Sequence, residues 1–295
     1  MATLNQLSIK ATTLVILAMT AFAANSVLCR LALKDTGMDA GLFTLVRLVS
    51  GAVMLALLIV FHNKEQINLK QLLVLVPKSG LSSLMLFCYA ASFSYAYIDM
   101  ETGTGALVLF ASVQLAMIGY HLSTGNRFNW IEAFGLMLAL IGFIYLLFPS
   151  ASSPALIPAL LMIFSGISWA IFTLLGKQNA LELSATSNMA VSFIGATALA
   201  VLLLPWFVNT SDIALKGIYL AIGSGAVASA LGYAIWYSVL PIISVLQASI
   251  VQLSVPAIAA IGGVIIVGES MTIQLFVASI VILGGILLVF IGRKP

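Results

Sequence analysis

Long apolar runs of about 20 residues, broken by short polar turns, set the pattern of this chain. Ten are counted, at about 12–33, 40–61, 72–96, 103–121, 130–149, 155–177, 186–207, 216–239, 244–267 and 272–291. Such a run suits a helix crossing a hydrocarbon layer about 30 Å thick. The breaks carry turn chemistry, as in Lys34-Asp35-Thr36-Gly37, His62-Asn63-Lys64-Glu65, Thr124-Gly125-Asn126 and Pro149-Ser150-Ala151-Ser152-Ser153-Pro154. The runs are apolar on all faces, whereas barrel strands alternate apolar and polar positions. Backbone amides in lipid must be satisfied within their own segment, which predicts helices. The expectation is an all-α integral membrane protein of ten transmembrane helices with no soluble domain.

Composition agrees with that pattern. Of 295 residues, 62% are hydrophobic and 7% charged, against about 25% charged in soluble domains. The net charge of +3 is spread without a basic block, so no nucleic-acid partner is expected. Cys29 and Cys88 match no metal or redox spacing and read as packing residues. His62 and His121 stand alone and read as interfacial. No cofactor and no metal is expected. Ala21-Phe22-Ala23 looks like a leader cleavage site, but Lys10 is its whole positive region, so the first span is expected to stay.

Lysine and arginine set the expected orientation. With the N-terminus inside, Lys10, Lys64, Lys70, Lys78, Arg127, Lys177, Arg293 and Lys294 fall on the cytoplasmic side. Arg30, Lys34 and Lys216 fall outside, and Arg47 lies within the second span. Both termini are therefore expected in the cytoplasm.

A repeat is visible within the chain. A shift of about 143 residues overlays Ala116 on Ala259, Gly119 on Gly262, Gly125 on Gly268 and Gly142 on Gly285. Another of about 147 puts Phe22 on Trp169 and Arg30 on Lys177. Five spans is an odd number, so a second copy would enter the membrane inverted. Residues 1–150 and 151–295 are thus expected to be two inverted five-helix repeats, an arrangement that marks alternating-access transporters with a site between the halves.

Specific stretches carry a family likeness. These are Trp169 with Lys177 eight residues on, "GYAIWYSVLP" (232–241), "SIVQLSVPAIAAIGGVIIVGES" (249–270) with Pro256 inside it and Gly268-Glu269 near its end, and Gly284-Gly285. Together with the repeat, they resemble the drug/metabolite transporter superfamily of EamA type over nearly the whole chain. The first half departs from the pattern, with Val113 where proline is usual and Gly125-Asn126-Arg127 in place of a glycine-glutamate turn. The resemblance implies a bacterial inner-membrane permease that exports amino acids, related metabolites or drugs. It also implies that spans one, three, four, six, eight and nine surround the cavity.

Polar residues inside the spans point to where that cavity lies, because such groups face the bundle interior or a water-filled path. No Asp or Glu lies more than a few residues inside any span, so no carboxylate proton relay is visible. Arg47, about 10 Å into its span at 1.5 Å per residue, either snorkels outward or binds a carboxylate or phosphate of the solute. Asn25 shares a face with Phe22 and Cys29; Tyr89 and Phe93 share another; Trp169, Tyr233 and Trp236 line two more. Gln247 and Gln252 lie in span nine, and Gln114 is an amide in mid-span that needs a partner. These are the candidate cavity residues; helix–helix glue and interfacial aromatic belts are the competing readings. Arg30 and Lys177, at matching repeat positions, are candidate gate charges or helix C-terminal cations. Pro256 removes a backbone hydrogen bond and should kink its helix. Glu101, Glu132 and Glu269 suit helix N-termini.

These readings lead to a secondary transporter in the lipid bilayer that moves a small-molecule substrate, with a lipid-phosphate flippase as the alternative. An intramembrane enzyme would need paired carboxylates, an activated nucleophile or metal-spaced histidines in the spans, and none is seen. The sequence leaves the oligomeric state open, a monomer included.

Overall fold

The computed structural model describes residues 9–62, 69–125, 129–148, 154–179, 184–208, 214–239 and 251–292. Helices make up its regular structure, with no strand among the described residues. They are α1 (Ile9–Thr36), α2 (Ala40–His62), α3 (Leu69–Leu75), α4 (Gly80–Ala96), α5 (Thr102–Ser123), α6 (Trp130–Leu147), α7 (Leu156–Asn179), α8 (Ala185–Leu202), α9 (Leu204–Phe207), α10 (Leu215–Ile222), α11 (Gly232–Val239), α12 (Ser254–Gly262) and α13 (Ile273–Gly292). A 3₁₀ turn, Pro77–Ser79, joins α3 to α4. Two π-helical stretches, Gly223–Leu231 and Gly263–Val267, continue α10 and α12.

Seven of the described helices are long and apolar enough to cross a membrane, and three shorter apolar ones run over Thr186–Leu202, Ser254–Val267 and Ile273–Val289. The surface agrees with a lipid surround: Phe61, Ile265 and Ile273 are all more than three-quarters exposed. Soluble monomers rarely expose apolar patches on such a scale. Trp130 and Trp206 are also exposed and stand near helix ends, where tryptophan favours the membrane–water boundary. This is a multi-pass helical membrane protein.

Small residues set the packing. α6 lies along α13, and a Cβ added to Gly135 would stand 2.6 Å from the Gly285 carbonyl oxygen. One on Gly285 would stand 2.5 Å from the Ala139 nitrogen. Without a hydrophobic drive between helices in lipid, such backbone approach is what holds two of them together. α1 crosses α10, α11 and α12; α4 and α5 both pack on α7; α2 packs on α8 and on the Gly223–Leu231 stretch. Contacts between the first and second halves of the chain thus dominate the interior.

Gly125 and Gly268, overlaid by the sequence repeat, both follow a helical end with left-handed φ of 85° and 71°. Only glycine enters that region without a Cβ penalty. α6 opens on a capping box: Asn129 Oδ1 accepts from the Glu132 nitrogen at 3.0 Å, and Glu132 Oε2 accepts from the Asn129 nitrogen at 2.8 Å. Span nine is interrupted at Leu253, one residue after Gln252, whose carbonyl the ring nitrogen of Pro256 cannot bond.

Candidate functional site: a buried arginine in an aromatic cluster

Arg47 is the eighth residue of α2 and is 2% exposed. Its Nη2 donates to the Tyr89 hydroxyl at 3.0 Å, and its Nε donates to Ser229 Oγ across 3.4 Å. The guanidinium carbon lies 5.2 Å from the Tyr89 ring centre and 4.9 Å from that of Phe93. The snorkelling alternative is therefore set aside: the side chain turns into the bundle, toward α4 and the second half. Its Nη1 is buried and, among the described residues, has no hydrogen-bond partner.

The rest of the cluster builds outward from Tyr89. Asn25 of α1 donates to the Tyr89 hydroxyl across 3.4 Å and accepts from Ser224 Oγ at 2.5 Å. Ser165 of α7 donates to the Tyr89 carbonyl at 3.0 Å. Trp169 lies 4.8 Å from Tyr89 and 5.0 Å from Tyr233, centre to centre. Phe22 packs at 5.5 Å from Tyr233 and 6.0 Å from Trp236. Tyr89 and Trp236 are buried and Trp169 lies within this stack, so an interfacial belt does not describe these three.

The energetics of Arg47 are tight. Charge at the centre of a membrane helix costs roughly 2.5–3.5 kcal/mol on insertion scales. Desolvated cation–ring contacts return about 2 kcal/mol each at best, and a hydrogen bond to a charged group about 1.5–3 kcal/mol. The Tyr89 and Phe93 rings and the Tyr89 hydroxyl can hold the cation, but an Nη1 without a partner among the described residues still carries a penalty on the order of 1–3 kcal/mol. Among the described residues, Arg47 forms no ion pair.

The Gly223–Leu231 stretch explains how one segment reaches both Asn25 and Arg47. In an α-helix, residues five apart point about 140° away from each other, at 100° per residue. The wider π turn brings Ser224 and Ser229 closer to one face, toward α1 and α2. Gly225 between them lets α2 come so near that an added Cβ would collide with the Arg47 carbonyl oxygen and Ser50 Oγ. π-bulges occur often at functional sites. No residue pattern in the sequence announces the π turn or singles out Ser224.

A second polar group joins the ends of other elements. Arg30 Nε lies 3.1 Å from Glu269 Oε1, and Arg30 Nη1 donates to the carbonyls of Tyr97 and Ile98 at 2.9 and 2.5 Å. Glu269 Oε2 accepts from the Thr102 nitrogen at 2.8 Å. Glu269 thus caps α5 from the far half of the chain, whereas Glu101, at the N-cap position, makes no side-chain cap. Gly103 and Gly105 serve close packing: a Cβ on the first would lie 2.8 Å from that of Ala260, and one on the second would strike the Tyr97 ring.

Other sequence candidates fall elsewhere. Gln114 is buried in α5 but, among the described residues, no hydrogen bond ties it to the Arg47 cluster. Gln252 is half-buried just before the break at Leu253. Gln247 lies outside the described residues, and Lys177 lies in α7 with its side chain outside them. Pro256 is buried in α12.

A helical bundle with a lipid-facing apolar surface and a polar–aromatic interior belongs to the class of polytopic membrane proteins. The profile of the EamA-like transporter family matches residues 9–148 and again 156–291. The chain belongs to that family. An uncharacterized protein of Pseudomonas aeruginosa is 44% identical over 260 residues, covering 88% of this chain and 86% of that one. One crystal structure superposes with a TM-score of 0.67 at 16% identity, over 94% of this chain and 96% of the other, and shares its fold.

Proposed function

We propose that this protein is a secondary transporter that moves a small metabolite, an amino acid, a related compound or a drug, outward across the bacterial inner membrane. Its ten spans form two inverted five-helix repeats, residues 1–150 and 151–295, with both termini in the cytoplasm. The repeats rock about the Arg47 cluster and open it to each side in turn. The observation that carries this reading is the cluster itself: Asn25, Arg47 and Tyr89 from the first half meet Ser224, Ser229, Trp169 and Tyr233 from the second. A site shared by two halves is remade whenever they move. Few polar groups in an aromatic wall are also what solute pockets use.

Arg30 and Glu269 form the gate on the outer side in this reading, since they tie the end of α1 to the segment before α13. The flippase alternative finds less support. A groove of about 410 Å³ opens beside α2, lined by Leu45, Val46, Val49, Ser50, Val53, Met54, Leu57, Ile222 and Ala226. An acyl chain would suit it, but among the described residues no charged side chain lines it to hold a headgroup.

Purified protein in proteoliposomes, loaded in turn with amino acids, organic acids and amphipathic drugs, tests the reading. Saturable, protein-dependent flux of a soluble solute is expected. Scrambling of labelled lipid with no solute flux would replace it with the flippase.

A further inference from the structure

We infer that Nη1 of Arg47 is the anchoring point for an oxyanion of the solute, a carboxylate or a phosphate monoester, whose apolar body lies against the aromatic wall. The inference rests on the transporter reading for its biological meaning, but the site stands on its own geometry. Arg47 is almost wholly buried, and among the described residues Nη1 has no partner while Nη2 and Nε have theirs. A guanidinium cannot shed its proton to escape that position, as a lysine could. Ring faces and hydroxyls solvate the charge without neutralising it. Among the described residues, the acids are Asp35, Asp39, Asp99, Glu101, Glu132 and Glu269, all at helix ends or between helices; none of them pairs with Arg47, and in this proposal a ligand supplies the missing negative charge.

The neighbours narrow the chemistry further. Nη1 offers two N–H groups to an oxygen acceptor and nothing to a cation. The Tyr89 and Phe93 rings already engage the guanidinium, and Trp169 and Tyr233 continue the wall beyond Tyr89. A flat apolar body extends along those rings. Nη1 is sealed in this conformation, so the anion reaches it only when the halves part. The 3.4 Å contact from Nε to Ser229, the longer of the two Arg47 bonds, is the one that parting would break. Cationic drugs are disfavoured by the same charge.

The test compares acids with their amides on the full-length protein in phosphatidylcholine nanodiscs. Thermal unfolding and tryptophan emission are read with indole-3-acetate, phenyl phosphate, indole-3-acetamide and dioleoyl phosphatidate. Either or both soluble oxyanions should raise Tm saturably and change the emission, and the amide should do neither. Arg47→Gln should weaken oxyanion binding at least tenfold, and Arg47→Lys should weaken it less while keeping the preference for acid over amide. Should both variants fail to fold, Trp169→Phe locates the site, because the acid-specific emission change should vanish with that ring. Equal responses to acid and amide, or none to any oxyanion, overturn the assignment. A response to phosphatidate alone assigns the oxyanion to a lipid headgroup and overturns the soluble solute. Binding of a soluble acid without its flux in proteoliposomes overturns the transport reading and leaves the site standing.

Discussion

Replacing Glu269 by glutamine should loosen the proposed outer gate without removing its atoms. Both carboxylate oxygens are committed: one pairs with Arg30 Nε at 3.1 Å and the other accepts from the Thr102 nitrogen at 2.8 Å. The side chains are 12% and 6% exposed for Arg30 and Glu269, so water and salt screen them little. Glutamine keeps an acceptor for one of these bonds but removes the charge from both. Hydrogen bonds to charged groups are worth about 1.5–3 kcal/mol against 0.5–1.5 for neutral ones, so the closed state should lose roughly 2 kcal/mol. At about 1.4 kcal/mol per tenfold, the ratio of open to closed molecules rises about 30-fold.

Cys29 reports that shift without a new probe. It is buried, precedes Arg30 on α1 and shares a face with Asn25. In a Cys88→Ser background, the rate of its modification by a membrane-impermeant maleimide follows the population of the opened state. The rate in right-side-out cells should rise at least tenfold in Glu269→Gln, and further in Glu269→Ala, which also strips the cap from α5. Inverted vesicles should show no such rise. A folded Glu269→Gln protein with an unchanged rate, or with the rise only in inverted vesicles, would refute the gate and its sidedness.

Four further outcomes follow from the packing and the titratable groups. Gly225→Ala should lower Tm by several degrees, because its Cβ collides with the Arg47 carbonyl and Ser50. Gly284→Ala, whose Cβ meets nothing within 4 Å, should leave Tm unchanged or raise it, both read in detergent. Asn129→Ala should cost about 1 kcal/mol of stability by removing the α6 cap, visible as a lower unfolding midpoint in denaturant. The Glu101 carboxyl is pushed above its ordinary value of 4.5, first by burial and then by the neighbouring Glu269 charge. The folded state therefore holds that proton more tightly than the unfolded one, so this group's contribution to stability is greatest at low pH and is lost as pH rises through and above 4.5. Tm measured from pH 4.5 to 7.5 should fall less steeply in Glu101→Gln than in the wild type.

What the sequence reveals, and what it hides, divides along the length scale of the interaction. Helix positions follow from local apolarity, so the runs at 40–61, 103–121 and 272–291 fall within one or two residues of α2, α5 and α13. The turn at Gly268 is legible too, since a left-handed residue after a helix is nearly always glycine. Shared faces such as Tyr89 with Phe93 follow from helical spacing alone. Whether Arg47 snorkels or turns inward is of another kind, because its partner Tyr89 is 42 residues away and no local pattern encodes that pairing. Glu269 is the sharper case: in sequence it reads as a cap for the helix that follows it, yet it caps α5, 167 residues earlier. The π turn at Gly223–Leu231 is hidden for a related reason. Its small residues fit an α-helix equally well, and only the demand to meet Asn25 and Arg47 together distinguishes the wider turn. The partnerships that sequence could not assign among these residues are the ones that cross between the halves or join distant helices. Those crossing partnerships are also the ones a rocking motion would break and remake, so the least legible bonds are the ones on which the proposed transport cycle depends.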